Sequence, residues 1–572
     1  MRNLIILYGA LLLAARSAPA QNPLFIPDTL SGTVFNLEMK DTSKVFYPGF
    51  VTSTYGINSA YLGPTLIMSK GDSVQMNVVN NLNDTTTLHW HGLHVSPAND
   101  GGPHVYILPG ATWSPSWVVR DEASTYWYHP HLHMKTNLQA SGGATGLIIV
   151  RDSIEAALSL PRRYGVDDFP LVIQSKCFDA NKQLVIDNHY DSVMMVNGTL
   201  NAFLSVPAQV VRFRILNASP ERVYNLGFQN NLAFHQIGTD GGLLPAPVQL
   251  TRLRLAPGER AELLMDFSGM NGQSMNLMSY AAELPSAIYG AQQPGMGAGQ
   301  VLPGYTTNPL NGTNFNIMSF QIGPPTANPV TAVPSTLVTL NPLPPASANI
   351  TRQLTFMPMN MGPTAIQGPF MINNQMYDEN VINYTLPLGN TEIWSLTNQS
   401  PIAHPFHIHD VQFYILDING IPPPPSLAGR KDVVLVPAGM GNVRFIAKFE
   451  TFCDSIFPYM YHCHMLPHED HGMMGQFIVQ CPTPTGIGES GIPRGELRIS
   501  PNPGSGLFTL YLPASNGENI IKVTDMQGKE ILSLSVSDAE TTRLDLSVAE
   551  SGIYIASYHD GYRWHVSRVA KY

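Results

Sequence analysis

The sequence predicts an all-β protein made of several β-sandwich domains, on three observations. At 572 residues the chain is too long for one hydrophobic core, because domains average about 150 residues. Only 13% of the residues are charged, whereas 48 are glycine and 47 are proline, which is typical of short strands joined by turns. Segment 73–80 alternates polar and apolar residues, which is the period of a half-buried strand.

Residues 1–20 have the pattern of a signal peptide. An apolar run from Leu4 to Ala15 precedes Ala18-Pro19-Ala20, the small-x-small pattern that signal peptidase recognises. The run is shorter than the roughly 20 apolar residues needed to span a bilayer. We therefore expect an exported protein whose mature chain begins at Gln21. The net charge of -10 includes no long charged runs, so no nucleic-acid partner is expected.

Three strand-rich blocks and a smaller C-terminal block follow the signal peptide. Proline-containing stretches separate the blocks, and the segment 482–488 has the composition of a linker. The predicted boundaries are 21–155, 165–325 and 345–481 for three sandwich domains, 482–495 for the linker and 496–572 for the C-terminal unit. The second block contains only two histidines, His189 and His235.

Thirteen of the 18 histidines fall in four short windows. The windows are His89 and His91 with His94; His129 and His131 with His133; His404, His407 and His409; and His462 and His464 with His468 and His471. In a strand alternate side chains share a face, so each His-x-His pair directs two imidazoles to the same side. The pairs can therefore ligate one metal cluster.

The last window also predicts a second kind of metal site. The two histidines that flank Cys463 face one side of a strand, while Cys463 faces the other. A thiolate with two imidazoles and a weak axial thioether is the ligand set of an electron-transfer copper. His468 and Met473 follow Cys463 at intervals of five residues, and His404 supplies the second imidazole.

Eight histidines remain after this assignment, and they suit three copper ions with open positions for oxygen. They are His89, His91, His129, His131, His407, His409, His462 and His464. A single His-x-His motif is more often accidental or a zinc site. Packing alone cannot explain four such windows, because eight neutral imidazoles facing one interior without a metal would leave many polar atoms unpaired.

The other histidines and a methionine series receive more ordinary interpretations. His94, His133 and His471 lie off the ligand spacing, where surface or outer contacts are expected, and His104, His189, His235, His559 and His565 have no partners in sequence. Met357, Met359 and Met361 alternate, which is more typical of one strand face packed in a core than of a path for metal ions.

The four windows resemble those of the three-domain multicopper oxidases, the family of laccases, bacterial copper-efflux oxidases and spore-coat laccases. The markers are His-Trp-His-Gly at 89–92, Trp-Tyr-His-Pro-His at 127–131, His-Pro-Phe-His-Ile-His at 404–409 and His-Cys-His-Met-Leu-Pro-His-Glu-Asp-His-Gly-Met at 462–473. The resemblance covers about residues 31–480. It implies three cupredoxin-like Greek-key β-sandwiches, to which the C-terminal block adds a small β-sandwich.

The resemblance also implies four copper ions and assigns their ligands. The type 1 copper takes His404, Cys463, His468 and Met473; the type 2 copper takes His89 and His407; the two type 3 coppers take His91, His129 and His464 on one ion and His131, His409 and His462 on the other. Asp100 and Glu469 match family carboxylates thought to supply protons to the trinuclear cluster. Cys463 is the expected electron route, since its neighbours bind that cluster.

Within the family the likeness is greatest to the copper-efflux oxidases, on segments 164–170 and 357–361. Those enzymes often carry a long methionine-rich insertion before the third window, and this chain has none. The tail from about Glu496 resembles the sorting domain of the type IX secretion system of Bacteroidetes, with markers at 499–503 and 551–554. This implies transit through the periplasm and across the outer membrane, followed by release or attachment to the cell surface.

The expected function is laccase-like: one-electron oxidation of phenols, aromatic amines or low-valent metal ions, coupled to reduction of dioxygen to water by a monomer. The alternatives are a copper-sequestering envelope protein, a cuprous-ion oxidase for copper tolerance, and a copper nitrite reductase, whose type 2 site needs only three histidines. With Cys463 reserved for copper, Cys177, Cys453 and Cys481 remain. Cys453 and Cys481 can pair, but sequence leaves the pairing open.

Overall fold

A computed structural model of the protein describes residues 21–186, 189–297, 302–481, 497–512, 518–525, 529–537, 541–559 and 564–572. The predicted signal peptide (1–20) and linker (482–495) lie outside these residues. The chain divides into two compact units, Met1–Pro482 and Thr483–Tyr572. The all-β prediction is confirmed, with three cupredoxin-like sandwiches in the first unit and a small sandwich in the second.

The first sandwich buries Trp90, Tyr126 and Tyr128 in its core. Trp90 lies between His89 and His91, so strand alternation directs the indole to the core and both imidazoles to the opposite face. Its described strands are, in hydrogen-bonded order, Thr29–Ser31, Thr65–Ser69, Gly146–Arg151, Ser124–His129 and His89–His91 in one sheet, and Phe50–Ile57, Val34–Tyr47, Ser73–Asn81 and Thr112–Trp113 in the other, where Ser116–Val118 also pairs with Ser73–Asn81.

The second sandwich contacts the first through buried charged groups. Glu262 pairs with Arg212 and Arg214, and Thr125 of the first sandwich donates a hydrogen bond of 2.7 Å to Glu262 Oε1. Within the described ranges and in hydrogen-bonded order, one sheet contains Asn22–Pro23, Ala202–Pro207, Asn314–Gly323, Ser274–Tyr280, Tyr224–Phe228 and Leu253–Leu255. The other sheet contains Thr199–Leu200, Val193–Val196, Asp168–Lys176, Val210–Asn217, Arg260–Asp266, Phe234–Thr239 and Gly242–Leu250.

The third sandwich packs around Trp394 and Phe406, which are fully buried. The strand His404–Ile408 pairs with Tyr459–Cys463 so that His407 lies opposite His462, which brings the last two histidine windows together. As far as the structure describes the chain, one sheet of the third sandwich contains, in hydrogen-bonded order, Phe370–Ile372, Ile350–Pro358, Thr391–Asn398, Gly441–Lys448 and Tyr414–Ile418. The other sheet contains Tyr384–Pro387, Met474–Gln480, Tyr459–Cys463, His404–Ile408 and Val433–Val436.

Helices are short, and one disulfide closes the third sandwich. The described α-helices are Thr136–Ser141, Ser153–Ala157 and Leu466–Asp470. None of the described helices has the length and apolar character needed to cross a membrane. Cys453 and Cys481, whose pairing the sequence left open, are joined by a disulfide with Cα atoms 5.0 Å apart. Cys177 and Cys463 are free thiols.

The C-terminal unit has its own apolar core, which contains Phe508, Ile521 and Leu544. Its described strands form two sheets, Arg498–Ser500, Leu507–Tyr511 and Thr541–Asp545 in one, and Glu530–Ser537, Glu518–Asp525, Gly552–His559 and Trp564–Lys571 in the other.

Candidate metal centre

Cys463 lies in a group with two imidazoles inside the third sandwich. His404 Nδ1 is 3.5 Å and His468 Nδ1 is 3.6 Å from Cys463 Sγ, and the two Nδ1 atoms are 3.3 Å apart. His404 comes from the strand beside Cys463, and His468 comes from the helix Leu466–Asp470. The structure thus brings three of the four residues predicted for the type 1 copper within ligand distance of one point.

The second nitrogen of each imidazole faces away from the sulfur. His404 Nε2 is 2.7 Å from Ser400 Oγ, and His468 Nε2 is 3.8 Å from Glu221 Oε1. Phe370 covers the group, with its ring centroid 4.6 Å from each of the two imidazole centroids. Each imidazole therefore offers its Nδ1 atom, and water is excluded from the sulfur.

Met473, the predicted axial ligand, is buried in the same core as Cys463. The Cys463 N–H donates to the Met473 carbonyl at 3.1 Å. Burial lowers the pKa of His404 to about 3 and raises the pKa of the Cys463 thiol. A neutral imidazole suits metal binding, whereas the thiol needs a nearby cation to ionise, so this donor set fits a copper ion.

The eight histidines left over by the sequence assignment are all buried in a second group. Its members are His89, His91, His129, His131, His407, His409, His462 and His464. Antiparallel pairing places His129 opposite His89 in the first sandwich and His407 opposite His462 in the third. Several sets of three of these histidines have ligand atoms within 4.8 Å of one another. Two of these sets are His89, His91 and His129, and His131, His409 and His462.

Unpaired buried nitrogens indicate that this second group also fits metal ions. Six of its histidines have a ring nitrogen without a hydrogen-bond partner within the described structure: His89 Nε2, His91 Nδ1, His129 Nε2, His131 Nδ1, His407 Nε2 and both nitrogens of His464. Buried polar atoms are normally paired, so such a concentration requires an explanation. Burial lowers the pKa of His464 to about 3, with neighbouring imidazoles contributing, which keeps its ring neutral.

The outer nitrogens are held by backbone carbonyls. His89 Nδ1–H donates to Asp100 O at 2.9 Å, His129 Nδ1–H to Pro130 O at 2.8 Å, and His407 Nδ1–H to Asp432 O at 2.8 Å. These bonds fix the tautomer that leaves Nε2 free in each ring. The free nitrogens are therefore oriented before any metal binds.

The two predicted carboxylates lie against this histidine group. Asp100 Oδ2 accepts a hydrogen bond of 2.7 Å from His409 Nδ1. Glu469 lies 3.1 Å from His462 Nδ1 and 3.4 Å from His131 Nδ1. Burial opposes ionisation of Glu469, but the imidazoles, His462 first, hold its pKa well below the ordinary value.

One carboxylate of the site escaped the sequence analysis. Asp432 Oδ1 is 3.0 Å from His91 Nε2, and its other oxygen pairs with Arg260 of the second sandwich. The only local signal is a charged run, 430–432, directly before the apolar strand Val433–Val436, and this run has no motif that points to a metal.

The other three histidines of the four windows occupy outer positions. His94 Nδ1 is 2.8 Å from Asp410 Oδ1, the ring of His133 lies 4.9 Å from that of Tyr377, and His471 ends the helix Leu466–Asp470.

The core-packing prediction for the methionine series is wrong. Met357 is only half-buried, Met359 is 52% exposed and Met361 is 82% exposed. The strand ends at Pro358, so the residues after it leave the core and reach the surface.

A cavity of about 490 Å³ lies between the second and third sandwiches. Its lining is mostly apolar and includes Ile288, Leu435 and Ala403. Ala403 directly precedes His404, so the wall of the cavity is one residue from the Cys463 group. A cavity of this volume accommodates a small organic molecule.

Among the described residues that line this cavity, Arg254 is a cation outside any ion pair. Arg252 is bound to Glu283, and Glu259 is bound to Lys431. Within the described residues no ion pair or hydrogen bond engages the Arg254 guanidinium. Partial desolvation lowers the pKa of Arg254, and the nearby Glu259 carboxylate raises it. The described lining of the cavity therefore combines apolar walls with one positive charge outside any ion pair.

Comparison with known proteins identifies the family. Multicopper oxidase models match residues 40–155 and 343–482. Multicopper oxidase mco of Staphylococcus haemolyticus is 31% identical over 454 residues, which cover 78% of this chain and 88% of that protein. Cell division protein FtsP of Escherichia coli is 31% identical over 480 residues, covering 82% and 95%. The solved structure of the laccase-like multi-copper oxidase CueO from Ochrobactrum sp. has a TM-score of 0.70 and 32% identity, covering 80% of this chain and 100% of that one.

The chain therefore belongs to the multicopper oxidase family, and the predicted resemblance is confirmed. Membership implies that copper is bound. A model of the secretion system C-terminal sorting domain matches residues 498–571, so the tail is a sorting domain and the protein is exported. Relatives of equal identity carry names from different processes, so membership of the family does not by itself determine the activity.

Proposed function

We propose that the protein is a laccase-like oxidase that couples one-electron oxidation of a small reducing substrate to four-electron reduction of dioxygen to water. One observation carries the proposal. Cys463 lies with His404 and His468, while its neighbours His462 and His464 lie in the eight-histidine group. A single strand therefore joins a thiolate site to a multinuclear site, which is the arrangement that such coupling requires.

The proposed ligand sets are those of one type 1, one type 2 and two type 3 copper ions. The type 1 set is His404, Cys463, His468 and Met473, the type 2 set is His89 and His407, and the type 3 sets are His91, His129 and His464, and His131, His409 and His462. Bound copper would supply one-electron redox chemistry and a binding place for dioxygen.

The protein side chains have separate tasks in this scheme. The buried imidazoles stay neutral and oriented, and the surrounding core excludes bulk water. Asp100 Oδ2 and the Glu469 carboxylate both contact imidazoles of the cluster. These two carboxylates are proposed to relay to the cluster the protons that water formation consumes.

The cavity beside His404 is the proposed site for an organic donor. Its apolar walls suit an aromatic ring, and the free Arg254 guanidinium suits a carboxylate on that ring. We therefore propose phenols that carry a carboxylate as preferred donors within the wider class of phenols and aromatic amines.

Oxygen consumption tests the proposal directly. Copper-loaded protein with 4-hydroxy-3-methoxybenzoate should consume one dioxygen for every four electrons removed from the donor, without accumulating hydrogen peroxide. A copper-sequestering protein would bind copper and consume no oxygen, and a nitrite reductase would require nitrite as acceptor. Either result would overturn the proposal.

A cuprous-ion oxidase is a second candidate, because one exposed methionine, Met376, lies beside the residue that precedes Met473. Met376 is 41% exposed, and a Cβ built on Gly472 would lie 3.2 Å from its methyl carbon. Gly472 precedes Met473, the proposed axial ligand. Thioethers prefer cuprous copper. If this candidate is correct, Met376→Leu raises the KM for cuprous ion and leaves the KM for the phenol unchanged.

The tail is proposed to act through the secretion machinery. Its sorting domain would direct the protein across the outer membrane, after which the protein is released or held at the cell surface. We further propose that the enzyme acts as a monomer.

A further inference from the structure

The second sandwich contributes no histidine to the eight-histidine group, yet one of its turns reaches that group. The turn 256–260 connects the strands Leu253–Leu255 and Arg260–Asp266. Its last residue, Arg260, is fully buried. Arg260 Nη1 donates to Asp432 Oδ1 at 2.6 Å, and Nη2 donates to Asp432 Oδ2 at 2.5 Å. This bidentate pair links the second sandwich to the third.

Asp432 in turn contacts two imidazoles of the group. Its backbone carbonyl accepts a hydrogen bond of 2.8 Å from His407 Nδ1, and its Oδ1 lies 3.0 Å from His91 Nε2. The opposite nitrogens, His407 Nε2 and His91 Nδ1, are the ones without a described partner. His407 therefore presents Nε2 and His91 presents Nδ1 to the proposed metal side. Asp432 fixes both orientations, because it contacts the opposite nitrogen of each ring.

Gly258 supplies a second contact from the same turn. Its φ is +83°, and a Cβ built there would lie 2.8 Å from the His464 ring. Arg260 Nη1 also donates to the Gly258 carbonyl at 3.1 Å. The Arg260 side chain thus connects the backbone of the turn to Asp432. The backbone at Gly258 packs against a third imidazole, that of His464.

The Arg260 guanidinium uses all of its donor directions. Beyond Asp432 and Gly258, its Nε donates to Thr125 O at 3.2 Å and its Nη2 to Asp240 O at 2.9 Å. Thr125 belongs to the first sandwich. A lysine has neither the planar fork nor enough donors to replace these contacts.

We infer that Arg260 is a positioning residue of the trinuclear copper site and that the turn 256–260 makes the second sandwich part of that site. Arg260 holds Asp432, which orients His91 and His407, and Gly258 leaves room for His464. This inference rests on the proposed function, since it concerns the same copper ions. It assigns the second sandwich a role in copper binding beyond joining the other two.

The test compares Arg260→Lys with Arg214→Lys. Arg214 is a matched control, because it is also fully buried in the second sandwich and pairs with Asp168 through two nitrogens, at 2.7 and 3.0 Å. Each purified protein is loaded with copper(II) sulfate and dialysed. Copper per chain, the electron paramagnetic resonance signal of type 2 copper and the blue type 1 absorption are then measured.

In Arg260→Lys we expect the blue absorption to stay, the type 2 hyperfine splitting to change, and copper binding at the cluster to weaken by about 10- to 100-fold. Arg214→Lys should retain the wild-type spectra. Wild-type copper content and an unchanged type 2 signal in Arg260→Lys would overturn the inference.

Asp432→Asn provides the deciding variant if Arg260→Lys does not fold. It keeps the backbone carbonyl and the volume of the side chain but weakens the pair with Arg260, so the type 2 signal should shift while the type 1 absorption remains. An unshifted signal would again overturn the inference. Failure of the proposed function is a different result, namely wild-type protein that loads no trinuclear copper or consumes no oxygen.

Discussion

His462 and Cys463 are consecutive in one strand, but their side chains lie in different groups. His462 Nε2 is 3.1 Å from His131 Nε2 of the first sandwich, whereas Cys463 Sγ is 3.5 Å from His404 Nδ1 inside the third. Strand alternation produces this division without any special backbone conformation. A change in one side chain should therefore affect one group and spare the other.

Cys463→Ser should abolish the intense blue absorption and oxidase turnover while most of the trinuclear copper stays bound. The substitution removes only the thiolate, and the imidazoles of the second group keep their outer hydrogen bonds. Absorption spectroscopy with copper analysis checks this expectation. A protein that stays blue would contradict the assignment of Cys463.

His407→Ala should lose type 2 copper and oxygen reduction, although an electron donor can still reduce the type 1 copper. His407 has its free Nε2 on the metal side and its Nδ1 on Asp432 O. Anaerobic bleaching of the blue band measures type 1 reduction, and an oxygen electrode measures turnover. Oxygen uptake at the wild-type rate would refute the trinuclear assignment.

Asp100→Asn should slow reoxidation by oxygen much more than reduction of the type 1 copper. The Asp100 carboxylate contacts His409 Nδ1, and the amide that replaces it cannot carry the proton. Stopped-flow absorption follows both steps. Asp84→Asn is a suitable control, because Asp84 is half-exposed and pairs with Lys135. Equal reoxidation rates in Asp100→Asn and wild type would exclude the proton role.

Arg254→Leu should raise the KM for 4-hydroxy-3-methoxybenzoate by about 10-fold or more, since a charge-assisted hydrogen bond contributes roughly 1.5–3 kcal/mol. The KM for the neutral donor 2-methoxyphenol should change little, and kcat should be retained for both. Arg444→Leu is the control, because Arg444 is paired with Asp417 and does not line the cavity. Equal effects on both donors would place the donor site elsewhere.

A chain that ends at Cys481 should fold, bind copper and turn over donors like the full chain. The two compact units divide at this point, and each has its own apolar core. In the native host the shortened protein should fail to leave the cell, whereas the tail fused to another exported protein should carry it out. An unfolded or copper-free product would show that the tail belongs to the catalytic body.

Sequence reasoning could find the histidines because their spacing is local. A His-x-His pair needs only strand alternation to place two imidazoles on one face, and the structure places all eight imidazoles in one buried group. Asp432 and Arg260 could not be found this way, since they are separated by 172 residues and meet only when the sandwiches dock. Met361 was misassigned because alternation continues past Pro358, where the strand has already ended.

The disulfide between Cys453 and Cys481 has a consequence for the stability of the exported protein. The covalent loop that it closes contains His462, Cys463, His464, His468 and Met473, so every proposed copper ligand of the last window lies within one cross-linked ring. A loop with a sequence separation of 28 residues lowers the entropy of the unfolded chain by an amount worth roughly 3–4 kcal/mol. The ring also ends where the tail begins, so proteolytic loss of the tail cannot unravel the strand that carries Cys463.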